Sequence, residues 1–140
     1  MEHYDVPTVL DMEAGLEHMS RGTVRHVDTL LTIIEPYFKS METAARMTSL
    51  GQEMGVSSIY AVANKVRTKE DSDALQAFCE QRGLYLIASV PEDEAIKTAD
   101  RIGVAPLDHE PTAAAVEAID GLARMLHARH SEVARDRTDT

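Results

Sequence analysis

The sequence predicts an α/β fold built on a mainly parallel sheet. Three observations carry that expectation. Four short apolar runs, Thr8–Leu10, Thr29–Ile34, Ile59–Ala63 and Leu84–Ala88, recur along the chain. The last three show little alternation, which suits strands covered on both faces. Helical patterns of crossover length lie between and after them, in the order β-β-α-β-α-β-α-α. With 140 residues the chain is long enough for one ordinary domain with a real core.

Each element has its own signal. Thr8–Leu10 is a short apolar run that ends on Asp11. After Thr29–Ile34, Ser40 is placed to N-cap a helix whose apolar face is Ala44, Met47, Leu50 and Met54, with Gly55 as its stop. Ile59–Ala63 follows as a strand. Thr68 and Asp71 then have the spacing of a capping box, opening a helix that buries Leu75, Phe78 and Cys79 and stops at Gly83. After the strand Leu84–Ala88, Pro91 precedes a shorter helix carrying Ile96, Ala99 and Ile102, closed by Gly103. Pro111 opens a last helix with Val116, Ile119, Ala123 and Leu126 on one side. Beyond Ala128 acids and bases alternate without apolar period, so residues 129–140 are expected to form a polar, disordered tail behind a domain at 1–128.

Composition narrows the function. The chain is 44% apolar and 27% charged, with a formal net charge of -10. Such a surface does not suit a nucleic-acid backbone, which needs a basic face. No apolar run approaches a membrane span, and Met1–Val6 lacks the basic-then-apolar pattern of a leader. Cys79 is the single cysteine, so no internal disulfide forms. A cytoplasmic location is expected, with neither nucleic acid nor membrane as partner.

Three places carry candidate chemistry. Asp11 stands at a strand's carboxyl end, where open α/β sheets bind ligands. A carboxylate there holds Mg²⁺ through water, and Gly15 lets backbone approach a phosphate; a plain turn aspartate reads the same way. Asn64 and Lys65 follow the strand Ile59–Ala63. The Asn64 amide offers a donor and an acceptor suited to a purine edge, and the Lys65 stem suits a base face; Asn is also common in turns. After the next strand, Val90, Pro91, Glu92 and Asp93 would line a base pocket, or Pro91 simply starts a helix. Other candidates have bland readings. Glu17 with His18, and His127 with His130, suit solvated surface as well as metal, Arg21 and Arg25 suit surface as well as phosphate, and Cys79 reads as a small buried apolar residue.

The motifs Asp11-Met-Glu-Ala-Gly-Leu-Glu-His18, Arg21-Gly22-Thr23, Glu35-Pro36, Ser40-x-x-Thr43-Ala44, Asn64-Lys65-Val66 and Pro91-Glu-Asp93 together resemble the C-terminal half of the MinD/ParA-type P-loop ATPases. The first of them is closer still to the CooC type, which matures carbon monoxide dehydrogenase. The resemblance spans roughly residues 5 to 127. It implies a partial P-loop NTPase, a Rossmann-like three-layer fold lacking the N-terminal strands. It implies ATP and Mg²⁺ as ligands, a dimer with nucleotide between subunits, and a carbon monoxide dehydrogenase client receiving nickel. By the same resemblance Asp11 is the Walker B aspartate, holding Mg²⁺ through water, and Gly15 the switch residue near the γ-phosphate. Asn64 binds adenine with Lys65 beside it, and Val90, Pro91, Glu92 and Asp93 flank the base.

The departures are as specific. Family members begin with a Walker A loop rich in Gly and Lys; no Gly-Lys dipeptide occurs here, and Lys39, Lys65, Lys69 and Lys97 stand outside any glycine loop. The switch I aspartate and the metal-binding Cys-x-Cys pair are missing as well. The expectation is half of an ATP site, inactive without the cradle that offsets phosphate charge and completed by a second copy or a complementing N-terminal half. A non-enzymatic dimerisation or client-binding module is the alternative. The first strand then lacks its usual neighbour, so the compact core is expected from Leu30 to about Leu126.

Overall fold

The computed structural model describes residues 7–12 and 27–138. Its elements are β1 (Thr29–Ile34), α1 (Phe38–Glu53), β2 (Ser58–Val66), α2 (Lys69–Arg82), β3 (Leu86–Pro91), α3 (Glu94–Ile102), α4 (Pro106–His109) and α5 (Ala114–Thr138). The strands form one parallel sheet in the order β1-β2-β3. β1 and β2 run in regular register from Thr29 opposite Ser58 to Ile34 opposite Ala63. The β2–β3 pairing shifts register twice, between Ala61 and Val62 and between Ala63 and Val66.

Helices pack on both faces of the sheet, which is why its strands read as largely unbroken apolar runs. On one face Ile34, Ala61 and Ala63 pack with Ala44 of α1 and with Leu75 and Cys79 of α2. On the other, Val62 and Val90 pack with Ala115 and Leu122 of α5, flanked by Leu31, Ile87 and Ile96. Leu75 is fully buried, a gain of about 1.5–3 kcal/mol for a side chain of that size. Small residues set the spacing between layers. A Cβ at Gly51 would stand 2.8 Å from Leu30 Cδ2 and 3.0 Å from Ile59 Cδ1, so α1 rests with its backbone almost on the sheet.

Local signals fix most helix ends. Thr68 Oγ1 accepts from the Asp71 N–H at 3.1 Å while Asp71 Oδ2 accepts from the Thr68 N–H at 3.2 Å, the expected capping box. Gly83 and Gly103 close α2 and α3 in the left-handed conformation that glycine adopts without strain.

Several expectations are corrected. Thr8–Leu10 is not a strand: residues 7–12 have no regular structure, and Val9 is 91% exposed. None of the described strands pairs with them, and an extended run without a ladder partner gains nothing from its backbone groups. Ser40 does not cap α1. The cap position is Tyr37, and Ser40 Oγ instead accepts from the Glu35 N–H at 2.9 Å, pinning the β1–α1 turn. Pro91 ends β3, and Asp93 caps α3. α5 starts at Ala114, after a short α4 that the sequence does not announce. Its buried side is Ala115, Val116 and Leu122, while Ile119 is half exposed. Where a disordered tail is expected from residue 129, α5 continues to Thr138. Arg129 holds that extension. Its guanidinium lies over the edge-to-face rings of Tyr60 and Tyr85 and donates to both hydroxyls.

Replacing Gly51 by Val forces α1 off the sheet at its closest approach. The expected cost is about 1–3 kcal/mol, read as a lower urea midpoint with unchanged slope.

Candidate functional site at the carboxyl end of the sheet

The strand ends converge where a doubly covered parallel sheet binds ligands. β1 ends at Ile34, followed by Glu35, β2 at Asn64-Lys65-Val66, and β3 at Val90-Pro91, followed by Glu92 and Asp93. Asn64, Lys65, Val90 and Pro91 are thus strand residues at this rim, not loop residues beyond it, because β2 and β3 each run further than their apolar cores. Val66 and Pro91 are paired partners, so the two segments lie side by side.

Lys65 is the one non-glycine residue among those described with positive φ, at 54°. It sits in the register shift between Ala63 and Val66, where one strand carries residues its neighbour does not match. A left-handed lysine is costly and re-aims its side chain. Lys65 Nζ lies 2.9 Å from Glu35 Oε1, and this bond with the Glu35 charge raises its pKa. The bridge links the ends of β1 and β2. Asn64, half-buried, precedes it.

Glu92 and Asp93 are occupied differently. Glu92 pairs with Arg67 and, at 2.8 Å, with Lys97, and bonds to Lys97 and then Arg67 hold its carboxyl below the usual range. Asp93 Oδ2 accepts from the Ala115 N–H at 3.1 Å and Oδ1 from the Ala95 N–H at 2.9 Å. One carboxylate therefore serves the first turns of both α5 and α3, and these two backbone bonds, Ala115 first, lower its pKa. Asp93 positions the rim. Its oxygens are already committed to the protein.

The phosphate side is not gathered here. Asp11 is exposed in the irregular segment 7–12. Gly15, Glu17, His18, Arg21 and Arg25 lie outside the described residues. Among the described residues no cluster of three His, Cys, Asp or Glu is placed to hold a metal. Mg²⁺ in nucleotide sites takes one or two carboxylates plus phosphate oxygens. Asp11 alone is a fragment of such a set, so the described residues do not by themselves make up a magnesium site. Cys79 is buried against α1 and the sheet, and burial pushes its thiol up, away from a reactive thiolate. His127 and His130 are exposed on α5.

Glu35, Arg67 and Lys97 were missed as rim residues. Glu35-Pro36 enters the resemblance only as a motif, and no spacing in sequence links Arg67 to Glu92, which directly follow β2 and β3.

No protein-family model matches the chain. In structure it is similar to the MinD cell division protein of Aquifex aeolicus, with a TM-score of 0.69 and 19% identity, covering 81% of this chain and 50% of that one. A ParA-family ATPase of Chlorobium tepidum matches with a TM-score of 0.57 and 23% identity, over 69% of this chain and 40% of its own. The fold is therefore the core of a MinD/ParA-type P-loop ATPase. In sequence, the carbon monoxide dehydrogenase accessory protein CooC of Rhodospirillum rubrum is 38% identical over 103 residues, 74% of this chain and 38% of its own. An uncharacterised ATP-binding protein of Methanocaldococcus jannaschii is 37% identical over 99 residues, 71% of this chain and 38% of its own. Within that class the chain is thus a relative of the CooC-type proteins, and it spans well under half the length of the curated relatives it matches.

Asp93 yields a pH prediction. Its folded pKa lies below the ordinary value of about 3.9, so its stabilising contribution is present above that value and lost as pH falls through the lowered folded pKa. Asp93→Ala should lower the melting temperature at neutral pH, and the gap to the parent should shrink as melts are repeated at progressively lower pH below about 4. A gap constant with pH would mean that the charge is not what holds α3 and α5.

Proposed function

We propose that this chain supplies the adenine-facing side of the nucleotide site of a CooC-like maturation ATPase. The observation that carries the reading is the left-handed Lys65 beside Asn64, at the carboxyl rim of the sheet and next to the Val90–Pro91 strand end. Strain retained at a ligand-binding rim commonly serves the ligand. Asn64 reads the base edge through its amide, the Lys65 stem covers a base face, and Val90, Pro91 and the backbone at Glu92 flank it. Asp93 holds that segment in place. The similarity to CooC and to ATP-binding proteins supports the same assignment.

Asp11 and Gly15 belong to the phosphate side in this reading. Asp11 holds Mg²⁺ through water once a Walker A loop brings the triphosphate, and Gly15 meets the γ-phosphate. Mg²⁺ there would offset phosphate charge. The larger function follows the CooC relative: ATP-dependent metal insertion into carbon monoxide dehydrogenase, in the cytoplasm, by a dimer or by two complementing chains. The chain alone lacks turnover. Among the described residues no helix is long and apolar enough to cross a membrane.

Calorimetry tests this. The chain alone should give no MgATP heat at micromolar concentrations, and the chain co-expressed with a Walker A-bearing half should bind. In that complex Asn64→Ala should weaken ATP by about tenfold, equivalent to roughly 1.4 kcal/mol, with little effect on inorganic triphosphate. Absence of binding in both preparations would favour the non-enzymatic module.

A further inference from the structure

Each carboxylate of the rim has a separate occupation. Glu92 takes Arg67 and Lys97, and Asp93 takes the backbone of α3 and α5. Glu35 takes Lys65, and its own backbone is held on both sides. Its N–H donates to Ser40 Oγ at 2.9 Å, and its carbonyl accepts from the Tyr37 N–H at 2.7 Å. The second bond closes a tight turn around Pro36, whose ring fixes φ near the value such a turn needs. Glu35 therefore presents its carboxylate from a stiff corner. Pro36 also stops the ladder. β1 and β2 pair regularly up to Ile34 opposite Ala63, and continuing that register would set Asn64 opposite Glu35 and Lys65 opposite Pro36. Proline has no N–H to offer a ladder. At this point Lys65 turns left-handed, with φ 54°, and its ammonium meets the Glu35 carboxylate instead.

We propose that Glu35 is a positioning residue of this rim: its carboxylate holds the Lys65 ammonium, which keeps the left-handed turn and so sets one orientation of the adjacent Asn64 amide toward a purine base. The ligand in this proposal rests on the nucleotide reading; the turn does not. A left-handed lysine is disfavoured by its own Cβ, so its surroundings must hold it. On the β3 side the hold is on the next residue: Val66 stands opposite Pro91, and its carbonyl accepts from the Glu92 N–H at 3.0 Å. On the β1 side the 2.9 Å bond to Glu35 ties Lys65 itself. An exposed ion pair between two free side chains contributes little, because both must be ordered to make it. Here Glu35 already stands on the turn pinned by Ser40, so less freedom is lost. With Val66 fixed against Pro91, a change of φ at Lys65 is taken up by Asn64, the half-buried residue before it. Glu35 thus acts on the base through Lys65 and Asn64, without touching it.

The test is solution NMR on the full, isotope-labelled chain. The Lys65 Cα and Cβ shifts and its amide-to-Hα NOE read φ, and the Asn64 side-chain amide signals read its orientation. Adenosine at millimolar concentration carries no phosphate and probes the base side by itself, with uridine for comparison. In the parent chain Lys65 should be left-handed, and adenosine should shift the Asn64 amide more than uridine does. Glu35→Ala should move Lys65 toward extended values, average the Asn64 amide signals and weaken adenosine about fivefold, with the melting temperature nearly unchanged. Glu35→Asp keeps a carboxylate within reach of the long lysine stem and should restore most of both. Ser40→Ala, which loosens the turn under Glu35, should give a smaller change in the same direction. A Glu35→Ala chain whose Lys65 stays left-handed and whose Asn64 amide is unmoved would show that pairing with β3 holds the turn alone, and overturns the proposal. A Glu35→Asp chain that behaves as Glu35→Ala overturns it too. A parent chain whose rim ignores adenosine, while Glu35→Ala still releases Lys65, keeps the positioning role and refutes the nucleotide reading.

Discussion

The structure depends on β2 being buried on both faces at once. Ala61 and Ala63 point to the α1–α2 layer and Val62 to the α5 layer, all nearly inaccessible. Alanines on one side let the helices approach closely, and the branched valine fills the other. From this strand the remaining order follows. β1 and β3 take their positions by pairing with it, and the second of the two register shifts against β3, between Ala63 and Val66, falls where it reaches the rim.

That rim is where regularity is given up. β2 could end at Ala63 on packing grounds, yet it continues through a left-handed Lys65 to Val66. The surrounding charges are arranged to tolerate this. Glu35 takes Lys65, Glu92 takes Arg67 and Lys97, and Asp93 ties two helix starts to the end of β3. Exposed ion pairs of this kind contribute little individually. Their effect is to fix where Asn64 and Pro91 stand relative to each other.

Asymmetry is the other organising feature. β3 ends in a proline and pairs with β2 through register shifts, while β1 is uncharged and, among the described residues, pairs with β2 in regular register. Asp11 is exposed in a segment with no regular structure.

Much of this was legible in the residues. Apolar runs of strand length marked β1, β2 and β3, and the Thr68–Asp71 box with Gly83, and Gly103, marked helix ends, because those signals act within a few residues. That Asn64, Lys65 and the Pro91 segment stand at strand ends was readable from the apolar runs before them. What tertiary structure alone decided is of another kind. Whether Thr8–Leu10 is a strand depends on a neighbour, not on its own composition. Asp93 acts as a shared cap because α5 happens to start above β3, and α5 outlasts its polar composition because Arg129 meets Tyr60 and Tyr85 from distant parts of the chain. The side of α5 that is buried was likewise set by the sheet beneath it. Local backbone chemistry is written in short stretches of sequence; pairing, bridging and coverage join residues dozens of positions apart, and only the folded chain brings them together.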